Sequence, residues 1–477
     1  MIKFTIDNVF TKALCNQPHE YEAIDACLSY QIPNAWIIKR NKLISEPHSA
    51  YWKNWTGINS FFIKDNGSFL TGLLPKVQEF CASKNIEYMT TDNRDKLDNT
   101  TKANIAPGML KGITLYDFQV RTAMEFCDIG NGVLQLPTGS GKTEIAVAIT
   151  KALEVPTLFL THRVTLLHQT AARFQKRWPG IKSKIGIVGD KQYSPNLINF
   201  ATVQTLQSMK KRSPQEYADL LSKAHLLIID EAHRSGAKQF YEPAIFCKNA
   251  RYRLALTATP FMTNDDANNM YLMGITGPVV SRVSNSELIE RGILARPFFK
   301  FFKIEAPDLS EFTKWQDVYE RGIVTHPHRN AFIVSQAVKL ANDDKKTLIV
   351  VSQVAHGKIL NHLLAKNGVA CQYVDGGTSY PEREKALKWL MDKGNVIIAT
   401  NIFDEGVDVV GLNAVILAGG QKAPETLFQR IGRTTRKKAA DNYAIIIDFI
   451  DSYHPTLLDH SMQRYNLIKN EEGFTIL

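Results

Sequence analysis

Short apolar runs, each three to five residues long, alternate with helical stretches along most of this chain. From Ile113 onward they are Val133-Leu-Gln-Leu136, Thr157-Leu-Phe-Leu160, Ile185-Gly-Ile-Val188, Phe200-Ala-Thr-Val203, Leu226-Leu-Ile-Ile229 and Leu254-Ala-Leu256. A second series follows: Thr347-Leu-Ile-Val-Val351, Cys371-Gln-Tyr-Val374, Asn395-Val-Ile-Ile398, Ala414-Val-Ile-Leu417 and Tyr443-Ala-Ile-Ile-Ile447. Strands alternating with helices predict βαβ units around buried parallel sheets, and two series predict two such domains. Between them Ser286–Pro297 reads as a connector of one or two helical turns, ended by Gly292 and Pro297.

Residues 1–105 follow another rhythm. Ala35-Trp-Ile-Ile38 and Ser60-Phe-Phe-Ile63 are short and apolar, Asp65-Asn-Gly67 between Phe62 and Phe69 predicts a hairpin, and Leu73–Lys84 is patterned as a helix. The polar stretch Thr90–Thr101 reads as a linker closing a small α+β domain. Lys39, Arg40, Lys42, Trp52, Lys53 and Trp55 interleave basic and aromatic residues. That pattern suits nucleic-acid contact, and equally a small tryptophan core with solvated lysines.

Two stretches carry chemistry. Leu136-Pro137-Thr138-Gly139-Ser140-Gly141-Lys142-Thr143-Glu144 lies between a predicted strand and a predicted helix. Gly139 and Gly141 let backbone N–H groups converge on phosphate oxygens at a helix N-terminus. Lys142 then reaches the β/γ-phosphates of a nucleotide such as ATP, and the Thr143 hydroxyl ligates Mg²⁺. Leu136 stands where the usual pattern has its first glycine. In Leu226-Leu-Ile-Ile-Asp230-Glu231-Ala232-His233 an apolar strand ends in paired carboxylates. Asp230 is expected to hold the metal, Glu231 to polarise the attacking water and His233 to sit behind the γ-phosphate.

Composition narrows the partners. The net charge is +10, and residues 1–105, with 12 Lys+Arg against 11 Asp+Glu, contribute +1 of it. The excess sits with the phosphate loop and favours a polyanion. Six scattered cysteines without a Cys-x-x-Cys pair, no run long enough to span a bilayer and no apolar leader fit a cytoplasmic protein with reduced thiols. For a phage-encoded protein this means the host cytoplasm. His326, His328 and Asn330 lack companions at metal-ligand spacing and read as a turn.

With the loop and Asp230-Glu-Ala-His233 in place, the chain resembles the superfamily-2 helicases and translocases. Thr257-Ala-Thr-Pro260, Thr400-Asn-Ile-Phe-Asp-Glu-Gly-Val-Asp408 and Gln429-Arg-Ile-Gly-Arg-Thr-Thr-Arg436 follow in the family's order, and the motifs span roughly residues 113–450. The resemblance implies an α/β fold of two RecA-like parallel-sheet domains in tandem plus a small α+β N-terminal domain. The boundaries expected are 1–105, an accessory and DNA-binding domain; 106–297, the ATP-binding domain; and 298–477, the helicase C-terminal domain. The family's site carries over to Pro137, Thr138, Gly139, Ser140, Gly141, Lys142, Thr143, His233, Gly406, Asp408 and Gln429 for the nucleotide. Gln119, in Leu115-Tyr-Asp-Phe-Gln119, matches the glutamine that reads adenine, although Tyr116 and Asp117 depart from the residues common there. Arg433 and Arg436, three apart, match the arginine fingers. Thr161, Arg163, Thr202, Gln204, Ser352, Gly376, Arg383 and Thr400 match the strand-tracking positions.

Within the family, the connector, the fifth motif and the sixth look like the DNA-directed group: restriction-enzyme translocases, XPB-like helicases and UvsW-type branched-DNA helicases. A compact motor with an N-terminal domain of about one hundred residues most resembles the UvsW type, which remodels forks and four-way junctions by branch migration. The expected cofactors are ATP and Mg²⁺ and the expected partner is branched DNA, with no membrane; the oligomeric state stays open, a monomer being compatible. An RNA helicase, or a DNA-binding scaffold with a vestigial ATPase, are the rival readings.

Overall fold

The computed structural model describes residues 1–97, 104–232, 237–259, 266–305, 307–400, 411–420 and 442–477. It divides into two compact units that meet in the sequence between Arg282 and Val283, the loop Pro137–Ser140 excepted.

The first unit opens with β1 (Ile2–Ile6), β2 (Phe10–Leu14), α1 (Pro18–Cys27), β3 (Ser29–Gln31), α2 (Ala35–Ser45), α3 (Ala50–Asn54), β4 (Ile58–Ser60), β5 (Ser68–Leu70), α4 (Leu74–Ser83) and β6 (Tyr88–Asp92). The four-stranded sheet has the order β5-β2-β1-β6, and β3 and β4 form a separate ribbon. The expected turn forms at Asp65–Gly67, where Gly67 has φ +66° and Ile63 and Ser68 exchange backbone hydrogen bonds of 2.7 and 3.2 Å. The stretch read as a linker instead begins as a strand, because Thr90–Asp92 pair in parallel with Phe4–Ile6. All five side chains of β6 face solvent, so this edge strand is held by backbone hydrogen bonds and leaves no apolar signature.

After it come α5 (Asp117–Ile129), β7 (Asn131–Gln135), α6 (Lys142–Leu153), β8 (Thr157–Thr161), α7 (Val164–Arg177), β9 (Ile185–Gly189), β10 (Gln192–Ser194), β11 (Ile198–Thr202), α8 (Val203–Arg212), α9 (Pro214–Ser222), β12 (Leu226–Asp230), α10 (Ala237–Phe246), β13 (Tyr252–Thr257), α11 (Asp266–Thr276) and β14 (Val279–Arg282). The sheet order is β10-β9-β11-β8-β12-β13-β7-β14, and every pairing is parallel except β10 with β9. Covered on both faces, its central strands are buried almost throughout, which is why they appear as unbroken apolar runs. Arg253 lies inside this layer and donates to the carbonyls of Ala244, Cys247, Ala250 and Ile275 near the ends of α10 and α11. Burial pushes its guanidinium down to about 10.

The N-terminal sheet and this first parallel sheet share one apolar core. The turn Thr71–Leu73 lies against α11 so closely that a methyl on Gly72 would overlap the Met273 carbonyl oxygen, and Phe61 packs edge-on to Tyr271 at 4.6 Å. Asn8 donates to the Lys248 carbonyl and Arg251 to that of Asp95.

The second unit contains α12 (Asn285–Glu290), β15 (Arg296–Ile304), α13 (Trp315–Tyr319), α14 (Pro327–Asn342), β16 (Thr347–Val350), α15 (Val354–Lys366), β17 (Cys371–Val374), α16 (Tyr380–Asp392), β18 (Val396–Ala399), β19 (Ala414–Leu417), β20 (Tyr443–Asp451), α17 (Pro455–Lys469) and β21 (Thr475–Ile476). Its parallel sheet has the order β17-β18-β16-β19-β20-β15-β21. The connector is helical only over α12; Pro297 lies in β15, opposite Ala444. A proline fits there because β21 pairs only with Phe298 and Phe299, so no ladder donor is lost on that side.

His326 and Asn330 start a helix rather than a turn. His326 Nδ1 caps α14 by accepting from the Arg329 N–H, and Asn330 bonds the Val324 carbonyl and the buried His356 ring. Burial holds that ring far down, at about 3. Arg329, fully buried, donates to Asp451 at 2.9 Å and to the Ala418 carbonyl at 2.7 Å.

Candidate active site

The phosphate loop leaves β7 while the backbone is still paired with its neighbour: the Leu136 N–H donates to the Thr257 carbonyl at 2.9 Å. Leu136 therefore continues the strand, with its side chain fully buried, and needs no positive φ. This is why a leucine can replace the first glycine. The two glycines that remain do take left-handed conformations, φ +89° at Gly139 and +84° at Gly141, and the latter caps α6. Lys142 and Thr143 then open the helix, whose first N–H groups lack intrahelical partners.

Two strands away, β12 ends in Asp230. The register aligns Asp230 with Leu256 of β13, and Leu256 with Leu134 of β7, so loop and carboxylates emerge at one sheet edge. Glu231 adopts φ +50°, rare for a residue with a side chain. Its N–H donates to the Asp230 carboxylate at 3.0 Å, and its own carboxylate lies 3.5 Å from the Lys142 ammonium. Burial first, then the neighbouring Glu231 charge, pushes the Asp230 carboxyl up to about 7, while Lys142 opposes both.

A hard divalent cation fits this donor set. A half-buried carboxylate crowded by a second one favours a proton or a metal, and Thr143 and Asp230 would supply oxygen ligands. Among the described residues no cluster of three or more His, Cys, Asp or Glu could hold a metal alone. An ion such as Mg²⁺ keeps waters and shares phosphate oxygens, so it needs few protein ligands. The Thr138 hydroxyl, in the same loop, is buried without a hydrogen-bond partner among the described residues.

Gln119 is buried on α5, its Oε1 accepting from the Tyr116 N–H at 2.9 Å, and its Nε2 faces Gly141 so closely that a methyl there would overlap it. Phe118 is core, while Tyr116 stacks on it at 5.9 Å and is exposed. Sequence reasoning missed the support behind the loop. Glu144, one residue after Thr143, meets Arg173 at 2.9 Å and Arg177 at 3.5 Å. The four-residue spacing of those two arginines on α7 was the available signal.

The first-unit tracking positions lie on the same edge. Thr161 and Thr202 end the neighbouring strands β8 and β11 in register. Both hydroxyls are buried, Thr161 donating to the Arg163 carbonyl and Thr202 capping α8 through the Thr205 N–H. Arg163 and Gln204 are exposed. In the second unit Ser352, Gly376 and Thr400 follow β16, β17 and β18 at the C-terminal edge, and Arg383 on α16 reaches toward the Asp375 and Gly376 carbonyls. His233, Gly406, Asp408, Gln429, Arg433 and Arg436 lie outside the described residues. No helix among the described residues is long and apolar enough to cross a membrane.

Comparison with known proteins agrees with this geometry. The family described as "Type III restriction enzyme, res subunit" matches residues 113–262, and the "Helicase conserved C-terminal domain" matches 330–438. The DNA 3'-5' translocase XPB2 of Sulfurisphaera tokodaii is 27% identical over 380 residues, covering 71% of this chain and 82% of that protein. The ATP-dependent DNA helicase uvsW of Enterobacteria phage T4 is 27% identical over 338 residues, covering 67% of this chain and 65% of its own length. A mimivirus relative, 25% identical over 355 residues, is named as an RNA helicase. Among solved structures, an HsdR fragment of a type I restriction enzyme from Vibrio vulnificus superposes with a TM-score of 0.59 at 17% identity, covering 84% of this chain and 72% of that one, and so shares the fold. The chain belongs to the superfamily-2 helicases, with two RecA-like domains in tandem and the nucleotide use and ATP-dependent helicase activity of that family.

Proposed function

We propose that this chain is an ATP- and Mg²⁺-dependent DNA helicase or translocase that unwinds or remodels branched DNA at forks and four-way junctions. The observation that carries the reading is the convergence of Lys142, Glu231 and half-buried Asp230 at one sheet edge, beside a glycine loop opening a helix. The residues that would hold Mg²⁺ are Thr143 and Asp230; bound there, the ion supplies charge neutralisation for the phosphates. Lys142 leaves Glu231 for the β/γ-phosphates, which frees Glu231 to orient the attacking water. The loop N–H groups from Pro137 to Thr143 cradle the phosphates, and Gln119 recognises the base from beside Gly141. Arg433 and Arg436 sense the γ-phosphate, with Gly406, Asp408, Gln429 and His233 completing the nucleotide site by resemblance.

DNA is favoured over RNA by the DNA-directed names of two relatives and by the form of the fifth and sixth motifs. Branched DNA is favoured by architecture, a compact motor with a small N-terminal domain. The test is a labelled fork and a labelled four-way junction incubated with the full chain and ATP. Strand-exchanged or displaced products, absent for Lys142→Ala, are expected. Faster separation of an RNA duplex would replace this reading by the RNA helicase one.

A further inference from the structure

The segment from Pro33 to Thr56 stands apart from the rest of the first unit: neither α2 nor α3 contains a single buried residue. Trp36, Arg40 and Ile44 recur every four residues on α2 and form one stripe. Trp36 is 67% exposed, Ile44 72% and Tyr51, on α3, 65%. So much apolar surface on one short projection marks a contact site.

Its other aromatics brace it. Trp52 and Trp55 meet edge to face at 5.3 Å, the Lys42 ammonium lies 5.4 Å over the Trp52 ring, and the Trp52 indole donates to Glu46 at 3.0 Å. Lys39 donates to the Trp55 carbonyl at 2.9 Å, fastening α2 to the end of α3. Trp52 and Trp55 thus form the small internal contact; Tyr51 joins it edge to face with Trp52 at 5.0 Å while most of its ring stays exposed, and Trp36 makes no ring contact among the described residues. The segment carries Lys39, Arg40, Lys42 and Lys53 against the single carboxylate of Glu46.

We propose that this projection is a stacking platform for unpaired nucleobases, with Trp36 and Tyr51 as the stacking rings and Arg40 and Lys53 meeting the adjacent phosphates. It rests on the reading that the chain acts on nucleic acid and adds where, and on which form, it grips. Exposed flat rings interleaved with cations match a strand whose bases and phosphates are both accessible, whereas a paired duplex hides its base faces. A second copy of this chain fits poorly, because matching the stripe to itself would set like charges together.

The test compares the full native chain with Trp36→Ala/Tyr51→Ala, measuring fluorescence anisotropy with a 20-nucleotide oligo-dT, a fork with unpaired arms and a blunt duplex. Each lost ring is expected to weaken binding of the oligonucleotide and the fork about tenfold, with blunt-duplex affinity changed less than twofold. Quenching of tryptophan emission by oligo-dT disappears in the variant, and Trp36→Phe keeps affinity within about threefold of native. An unchanged melting temperature shows that both variants fold.

Oligo-dT affinity equal to native overturns the platform, as does an equal loss for oligo-dT and duplex. So does self-association of the native chain that the substitutions abolish without affecting DNA. Absence of any nucleic-acid binding by the native chain overturns the platform together with the proposed function.

Discussion

Replacing Gly141 with alanine perturbs the phosphate loop in two separable ways. At φ +84° a side chain incurs about 1–2 kcal/mol of left-handed strain. The new methyl also overlaps the Gln119 amide nitrogen, so that side chain must leave the position in which its Oε1 accepts from the Tyr116 N–H at 2.9 Å. Losing that hydrogen bond costs roughly 1 kcal/mol. The total, about 2–3 kcal/mol, has two possible outlets. If the loop holds its shape, the first unit is destabilised and melts several degrees lower. If the loop relaxes, nucleotide affinity falls about 30- to 150-fold. Titration with a fluorescent ATP analogue, run beside thermal unfolding, reads both. In a Gln119→Ala background the overlap vanishes and only the φ strain remains, so the cost of Gly141→Ala should fall to about 1–2 kcal/mol. Affinity within twofold of native and an unchanged melting temperature would refute the reasoning for this loop.

Other perturbations test other parts. Lys142→Ala should abolish ATP hydrolysis and leave nucleic-acid affinity within about threefold of native; retained hydrolysis would remove the lysine from the phosphate site. Asp230 has a raised carboxyl pKa, so without ligand its protonated form contributes stability below the ordinary carboxylate range, and that contribution is lost as pH rises through about 7. Thermal unfolding of Asp230→Asn should therefore gain on the native chain from pH 5 to pH 8, and Mg²⁺ with a nucleotide should narrow the gap; a pH-independent difference would contradict the assignment. Arg329→Met leaves the buried Asp451 carboxylate without its cation and should destabilise the second unit by about 3–5 kcal/mol, read as a lower urea midpoint. A change below about 1 kcal/mol would show that the pair contributes little.

The parallel-sheet cores were the most legible part of the fold. Strands covered on both faces must be apolar throughout, so runs such as Leu226–Ile229 announce themselves. Strands at or next to a sheet edge do not. β6 exposes every side chain, and β15 mixes lysines and a proline with phenylalanines, so neither leaves a simple pattern. The sharing of a core between the N-terminal sheet and the first parallel sheet was also hidden. It depends on Gly72 approaching the α11 backbone, a contact across some two hundred residues that no local periodicity records.

At the candidate site, spacing brought Lys142, Thr143, Asp230 and Glu231 forward as candidates because the proposed chemistry demands those types just after strand ends. Spacing could not reveal that Gln119 packs on Gly141, or that Glu144 draws in Arg173 and Arg177, because these partners meet only through the fold. Resemblance placed Thr161 and Thr202 among the strand-tracking positions, and no spacing records that both hydroxyls sit in local backbone hydrogen bonds. Such threonines at strand ends are as useful for starting a helix or turn as for meeting a ligand.

The central claim is a nucleotide-driven motor that acts on branched DNA. Steady-state ATP hydrolysis by the full chain tests it most directly, measured with Mg²⁺ alone and with single-stranded DNA, duplex, fork, four-way junction and single-stranded RNA. Little turnover alone and the strongest stimulation by forks or junctions are expected. Strongest stimulation by RNA would contradict the DNA assignment, and hydrolysis absent under every condition would contradict the motor itself.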